Sequence, residues 1–594
     1  MDTEDTNNIK KRQPVKGSVN AEHVCFSLLV LLGVFAAACT YVILVRFGPH
    51  HLTGAFHWDE GFGVEKTLAV LRAGSPSVGG FLDWGPLYFY VHAGVFALFE
   101  FVSAIIGFDV AAYADYGPYI IVGRFVNLVA SVCYSALFYT LASKYGGKRA
   151  AVFALAVFVS VPIHIQVIGK VRPDTLNMLF VLASLFFLAG AEPGKRRRLY
   201  LAAVFAALSF GVKYTGVTLL PFICLASVKM DIETADSNKR AAVRAVKNCA
   251  LLIATFAIVV FITVPVFLLE PVSSFFGLVH LRNILKHGTS ITGPPGPLHW
   301  LPILLRPHNG GPVLPFVFAG FAVAAGVSAV ATKKGRAVRD FFFEPKTLAF
   351  LWALAYAAMF ILTVRLRASR YVIPLLPFYA LSAALVVKYA FDGLRARPLK
   401  YAAAILCAAI LAVNCLYTYK MFAAYRYGMD RSKAVLSWFT DNVPEGETVG
   451  HSLRAYVPFD VYETFDVSEC VEKGGEAEFY DRRPAAYVLN YRAIEEFADP
   501  HLGRYYRFPE ERFLRVHRFV EASFVGSVEG YYLAADLGLY YIFAREDMGP
   551  GYATDIDGRR LDETPTIEDI LSSPEHKYDR EFLGLPFAYR IYVE

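Results

Sequence analysis

The chain contains 594 residues, of which 56% are hydrophobic and only 19% are charged. This composition excludes a disordered chain, a collagen-like repeat and a small disulfide scaffold. Soluble proteins usually carry about 25% charged residues, so the low charged fraction indicates a polytopic membrane protein. The formal net charge of +6 does not indicate nucleic-acid binding, because the basic residues form short clusters between apolar runs.

Apolar runs occur throughout the first 420 residues and predict about eleven transmembrane helices. They lie at about residues 24–45, 118–142, 149–169, 175–191, 199–213, 215–228, 249–269, 313–332, 347–364, 371–388 and 400–420. The pair joined at Lys213 can also be one long interrupted segment. We therefore predict a mainly α fold with a cytoplasmic tail (1–23), a transmembrane catalytic domain (24–420) and a C-terminal extracytoplasmic α/β domain (421–594).

Basic residues orient the predicted helices, because Lys and Arg concentrate in cytoplasmic loops. The basic clusters begin at Lys10, Lys144, Lys195, Lys229, Lys333 and Arg395. All of them lie on the side of the N-terminus if the apolar stretch 86–108 does not cross the membrane. We therefore expect that stretch to lie in the outer interface or to be re-entrant, with a true span that violates the charge rule as the alternative. The N-terminus is then cytoplasmic, and we expect the plasma membrane.

Acidic residues mark the first outer loop. Asp59 and Glu60 follow the first span, where a partly desolvated carboxylate can act as a general base on a hydroxyl group. Asp83 precedes a Gly-Pro turn and can bind an acceptor or a divalent ion. The alternative interpretations are a solvated pair of carboxylates for the first two residues and a helix-capping turn for the third.

Basic residues mark the other outer turns. Lys170 and Arg172 precede Asp174, and Lys213 and Tyr214 interrupt an apolar sequence. The two residues before Asp174 make an anion site plausible. Asp174 can also cap the helix that follows it, and Lys213 can instead extend its ammonium group to the outer headgroups.

A last outer turn carries Arg365, Arg367 and Arg370, against the usual distribution of positive charge. Phosphate is the natural partner of such a turn, because guanidinium groups match its geometry. Carboxylates and cations on one face suit a lipid-phosphate sugar donor, since nucleotide sugars are cytoplasmic. A phosphate leaving group needs cations or a metal to hold its developing charge, so a divalent ion is possible although no ligand set is evident.

The order of these motifs resembles a known family. They are Asp59-Glu60, Pro86-Leu87-Tyr88, Pro173-Asp174, Lys213-Tyr214-Thr215-Gly216 ahead of Leu219-Leu220-Pro221, and Arg370-Tyr371 followed by Pro374 and Pro377. Over about residues 20–390 the chain resembles the dolichyl-phosphate-mannose protein mannosyltransferases and their bacterial lipid A aminoarabinose transferase relatives, within the GT-C superfamily.

The resemblance implies an inverting membrane glycosyltransferase that uses a polyprenyl-phosphate sugar. It assigns the general-base role to Asp59 and a second essential acidic position to Asp174. It places Asp83 at the acceptor or metal site, and Lys213 and Arg370 near the donor phosphate. The chain lacks the His-Pro-Pro loop closure and the luminal sugar-binding repeats of the protein mannosyltransferases. The sugar therefore stays open, and the acceptor is a glycan, a lipid or a protein.

The region 421–594 has ordinary soluble composition and is predicted to be α/β, with a helix at 432–442 and a short strand after Gly446. Further strands are predicted at 485–490, 531–535, 540–543 and 589–593. Two other functions stay open. A transporter or flippase for a lipid-linked glycan would use the same cationic face, although no internal repeat is evident. A membrane-anchored binding or assembly protein would leave the acidic pair without a purpose.

Overall fold

The computed structural model describes residues 58–78, 82–108, 110, 117–193, 195–287, 345–364, 369–393, 397–452, 461–498, 509–548 and 551–572. The predicted spans at 24–45 and 313–332, Arg365, Arg367 and the predicted strand 589–593 lie outside these residues. The predicted total of about eleven spans therefore stays a prediction.

The described residues before residue 443 are mainly helical. Their α-helices are α1 (Trp58–Ala73), α2 (Pro86–Ile105), α3 (Gly117–Ser160), α4 (Pro162–Ile168), α5 (Pro173–Ala189), α6 (Arg197–Lys213), α7 (Leu220–Thr234), α8 (Asn238–Thr263), α9 (Val266–Leu269), α10 (Pro271–His287), α11 (Pro345–Thr363), α12 (Leu376–Gly393) and α13 (Arg397–Asn442). Short 3₁₀ segments cover Thr215–Leu219 and Ser369–Leu375.

By length and composition, four helical segments within the described residues can cross a membrane: α2, α3, the continuous stretch Thr215–Thr234, and α8. The pair α4 and α5, bent by 112°, raises the number to five if it is counted as one broken span. The residues joined at Lys213 form two helices, not one interrupted segment, because Tyr214 has a left-handed φ of 56°. The structure therefore confirms a polytopic helical membrane protein.

Proline begins three helices of the first half, and glycine interrupts another. Proline is the first residue of α2, α4 and α5, where its missing N–H leaves no hydrogen bond unmade. Gly147 has a φ of 79° and divides α3 into two helical segments. A side chain is strained at this φ, so glycine is well suited to the position.

Contacts between helices show which residues lie at each end of the bundle. The Nζ atom of Lys144 lies 4.0 Å from the ring centroid of Phe186, and Arg198 donates a hydrogen bond to the carbonyl of Gly190. Arg196 likewise donates to the buried carboxylate of Asp231 in α7. Residues of two predicted cytoplasmic clusters thus lie beside residues at the same end of α5, α6 and α7. The outer-turn residues lie at the other end.

Helix α2 qualifies as a span by length, yet the contacts near both of its ends favour the interfacial placement. At its start, the N–H of Gly85 donates to the carbonyl of Val212, beside Lys213 (2.9 Å). Near its end, Glu100 accepts a hydrogen bond from the hydroxyl of Tyr119, in the first turn of α3 (2.5 Å). Both ends of α2 therefore contact segments that lead into the outer turns.

The C-terminal region forms a five-stranded sheet with helices. Its elements are β1 (Thr448–His451), β2 (Glu463–Asp466), α14 (Val467–Arg482), β3 (Ala486–Asn490), α15 (Tyr491–Phe497), α16 (Glu510–Phe524), β4 (Tyr531–Asp536), β5 (Tyr540–Arg545) and α17 (Ile567–Ser572). The strand order is β2-β1-β3-β5-β4, with β1 parallel to β2 and β3, and β5 antiparallel to β3 and β4. This confirms the predicted α/β architecture.

One continuous helix, α13, joins the two regions across the predicted boundary at residue 420. In its first half, Asn414 donates a hydrogen bond to Ser160 at the end of α3 (3.0 Å). In its last turns, Val435 and Phe439 enter the core of the C-terminal sheet region. A single helix therefore contacts both the helical bundle and the α/β core.

Candidate active site

Asp174 is the centre of a buried charged cluster at the outer end of the bundle. Lys213 donates a hydrogen bond to its Oδ1 atom, and the Nε atom of Arg172 lies 3.8 Å from its Oδ2 atom. The predicted capping role of Asp174 is wrong. Pro173 begins α5, so the N-cap is Arg172 and Asp174 lies in the first turn, with no cap formed by a side chain. Its charge still suits the positive end of the helix.

The last outer turn brings further groups to this cluster. The Nζ atom of Lys213 lies 5.1 Å from the ring centroid of Tyr371, and the Cζ atom of Arg370 lies 5.7 Å from the same centroid. Arg370 is also close enough to Asp174 to attract its carboxylate. Arg370 therefore lies at the site, whereas Arg365 and Arg367 are outside the described residues.

Three cationic side chains lie around the carboxylate of Asp174. Lys213 and Arg172 pair with it, and Arg370 is close enough to attract it. Arg172 and Asp174 are buried. Charges interact more strongly where water is excluded, so several cations close together suit the binding of an anion.

The turn that carries Lys213 is held by the loop before α2. The hydroxyl of Tyr214 donates to the carbonyl of Trp84 at 3.4 Å, and Asp83 lies close enough to Tyr214 to interact with it electrostatically. A Cβ atom at Gly85 would overlap the carbonyl oxygen of Gly211. The predicted residues Asp83 and Tyr214 thus lie together beside Lys213.

Glu60 forms a second buried cluster next to the first. Its carboxylate accepts hydrogen bonds from Arg124, with Nε to Oε1 at 3.1 Å and Nη2 to Oε2 at 3.0 Å, and from the N–H of Val171 at 2.8 Å. Both oxygens are therefore engaged. These contacts favour a positioning role for Glu60, so Asp59 is the better candidate for the predicted general base.

Arg124 is a site residue that sequence analysis missed. It lies in α3 and is fully buried. Its signal was a single arginine inside a long apolar run, where a charge is costly unless it is paired. One turn later, Asn127 donates a hydrogen bond to the carbonyl of the buried Lys170. Two residues of α3 thus hold the turn that leads to Asp174.

Asp59 lies in the first turn of α1, one residue before Glu60, and its side chain lies outside the described residues. Among the described residues, no three acidic, histidine or cysteine side chains form a group that can hold a metal ion. Glu60 and Asp174 are instead matched with arginine and lysine. The possible divalent ion stays a prediction.

Comparisons with known proteins bear on the same part of the chain. Residues 117–267 match the family model for dolichyl-phosphate-mannose-protein mannosyltransferase. This segment includes Arg124, Asp174 and Lys213. Among the curated proteins, none matches the chain.

Over most of its length the chain is also similar to several solved structures. ArnT from Cupriavidus metallidurans bound to undecaprenyl phosphate is 14% identical, with 86% of this chain and 97% of that chain covered and a TM-score of 0.44. The archaeal oligosaccharyltransferase AglB from Archaeoglobus fulgidus, in complex with an inhibitory peptide and a dolichol-phosphate, is 12% identical, with 89% and 75% covered and a TM-score of 0.44. The family match supports the resemblance predicted from the sequence: residues 117–267 are similar to the dolichyl-phosphate-mannose-protein mannosyltransferases.

Proposed function

We propose that this chain is an inverting membrane glycosyltransferase that moves a sugar from a polyprenyl-phosphate donor to a hydroxyl group of an acceptor. The observation that carries the proposal is the position of Asp174 between Lys213 and Arg172, with Arg370 close by. This cluster supplies the positive charge that a departing phosphate needs, at the end of the bundle opposite the basic cytoplasmic clusters.

The proposed reaction assigns a task to each group. Asp59 takes the proton of the acceptor hydroxyl while the oxygen forms a bond to the anomeric carbon. The bond between that carbon and the phosphate oxygen breaks, and the polyprenyl phosphate leaves with the electron pair. Lys213, Arg172 and Arg370 stabilise the phosphate charge, and Asp174 fixes the positions of the first two cations.

The remaining assignments are proposals of the same kind. Lys170 adds positive charge next to the cluster, and Arg365 and Arg367 extend it along the last outer turn. Asp83 lies on the acceptor side. The sugar is a hexose or a pentose, and the acceptor is a glycan, a lipid or a protein at the outer face of the plasma membrane.

The test uses the purified full chain in lipid nanodiscs with radiolabelled polyprenyl-phosphate sugars and an extract of acceptor molecules. We expect Asp59→Asn and Asp174→Asn to lower the rate of label transfer at least about 100-fold. Asp236→Asn is the matched control, because Asp236 is exposed and pairs with Arg240 of the next turn. Size-exclusion chromatography checks that each variant is folded.

Two outcomes contradict the proposal. If both folded variants transfer sugar at the full rate, neither Asp59 nor Asp174 has the role assigned to it. If the chain in sealed liposomes moves the donor across the bilayer without any cleavage of its phosphate–sugar bond, a transporter would be supported.

A further inference from the structure

A buried polar network is centred on Asn177, which lies one helical turn after Asp174 in α5. The Oδ1 atom of Asn177 accepts a hydrogen bond from the hydroxyl of Ser209 in α6 at 2.7 Å and from the hydroxyl of Thr215 at 2.8 Å. The oxygen atoms of these two hydroxyls are 3.4 Å apart. All three side chains are buried, so one amide oxygen holds two segments of chain together.

Those two segments lie on either side of Lys213. Ser209 is one helical turn before it, and Thr215 is two residues after it, beyond the left-handed residue Tyr214. The chain folds back closely here, because a Cβ atom at Gly216 would overlap the carbonyl oxygen of Ala206. The conformation of this turn decides where the ammonium group of Lys213 lies.

Helix α5 therefore contacts this turn twice. Asp174 accepts a hydrogen bond from the ammonium group of Lys213. Asn177, three residues later on the same helix, accepts hydrogen bonds from the hydroxyl groups of Ser209 and Thr215, which lie on either side of Lys213 in the chain. We infer that Asn177 is a positioning residue that fixes Lys213 against Asp174, and thereby prepares the site for the phosphate of the donor. The last step rests on the proposed function, whereas the first rests on the geometry alone.

The physical reason is the low polarity of the surroundings. A hydroxyl group that loses its acceptor in a buried region must find another one, usually the carbonyl one turn earlier in the helix. Such a change alters the end of α6 and the 3₁₀ turn after it. Lys213 then moves relative to Asp174 although neither residue has been changed.

The experiment measures the position of Lys213 directly. The full chain in nanodiscs is treated with acetic anhydride, and mass spectrometry follows acetylation of the peptide that contains Lys213. An ammonium group that donates to a carboxylate acetylates slowly. We expect Asn177→Leu, which is similar in size but has no acceptor, to raise this rate about tenfold. Asn177→Asp retains the acceptor oxygen, and we expect it to stay near the rate of the unchanged protein.

The matched control is Ser184→Ala. The hydroxyl of Ser184 is buried and donates to the carbonyl of Ala202 at 2.8 Å, so it joins the same two helices, α5 and α6, toward the other end. We expect this variant to leave acetylation of Lys213 unchanged. If Asn177→Leu fails to fold, the double variant Ser209→Ala/Thr215→Val removes the same two hydrogen bonds from the other side. We expect it to raise the rate as well, because the two segments are then no longer held to α5 by these bonds.

Unchanged acetylation in the folded variants would overturn the inference, and so would an equal rise in Ser184→Ala. The transferase assay supplies a second measurement: the KM for the donor should rise about tenfold in Asn177→Leu while the KM for the acceptor stays the same. If the unchanged protein transfers no sugar, the proposed function fails, and the acetylation rate still decides whether Asn177 positions Lys213.

Discussion

The guanidinium group of Arg124 donates two hydrogen bonds to the carboxylate of Glu60, over distances of 3.1 and 3.0 Å. The same carboxylate accepts the N–H of Val171, so one ion pair joins α1, α3 and the turn that leads to Asp174. Both side chains are almost completely buried. A buried pair of this kind is strongly destabilised when only one partner is removed, because the other charge is left without compensation.

We therefore expect Arg124→Met to lower the free energy of unfolding by about 3–5 kcal/mol. The matched control is Arg240→Met, which removes an exposed pair with Asp236 and should change that free energy by less than about 0.5 kcal/mol. Thermal unfolding of the full chain in detergent measures both. Adding Glu60→Gln to Arg124→Met should recover part of the loss, and equal stability of the two single variants would contradict the prediction.

A second prediction concerns Gly85, in the loop before α2. Gly85 packs directly against the backbone of Gly211. Gly85→Ala must move one of the two chains, and we expect it to lower the free energy of unfolding by about 1–3 kcal/mol and to lower transfer activity through Lys213. Gly94→Ala, inside α2 itself, has open space around the new methyl group. It should be neutral or stabilise the helix by up to about 1 kcal/mol. Similar losses in both variants would argue against the contact.

The orientation of the chain predicts which residues a membrane-impermeant maleimide reaches. In a variant without native cysteines, Lys239→Cys lies in a predicted cytoplasmic cluster and Glu511→Cys lies in α16 of the C-terminal domain, and both positions are exposed. In intact cells we expect labelling of the second position only. In inverted membrane vesicles the pattern should reverse. Labelling of both from one side would rule out the predicted topology.

A further prediction concerns Asp466 and the pH dependence of folding stability at the start of α14. Asp466 accepts the N–H of Glu469 at the start of α14, and burial raises the pKa of its carboxyl to about 6, with the nearby Glu469 charge acting in the same direction. A pKa raised in the folded state means that protonation favours folding. The contribution is fully present below the unfolded pKa and is lost as the pH rises through about 6.

Hydrogen–deuterium exchange of the first turns of α14, corrected for the intrinsic rate, measures this loss. Protection should fall as the pH rises from about 4 to somewhat above 6. Asp466→Asn retains a capping oxygen but has no charge, so its corrected protection should not change over the same range. A pH-independent profile in the unchanged protein would show that Asp466 does not titrate there.

The amino-acid sequence by itself determined the class of the protein, the α/β C-terminal region and most of the candidate site. These features depend on local properties: long apolar runs, basic clusters between them and charges in positions where lipid makes them costly. Asp174, Lys213 and Arg370 could be grouped in this way because all three lie in outer turns. Strand β2 was not predicted, because two of its four residues are acidic and acidic residues are uncommon in strands.

Only the tertiary structure decided what each charged group contacts. Pairing depends on which helices are neighbours, and neighbouring helices are set by packing along the whole bundle rather than by local sequence. Arg124 is 64 residues from Glu60, and Asn177 is 38 residues from Thr215, so no pattern in the sequence joins them. The same packing places Asp174 beside Lys213 instead of at a helix cap. The sequence thus contained the charges of the site, and the fold decided which of them bind one another.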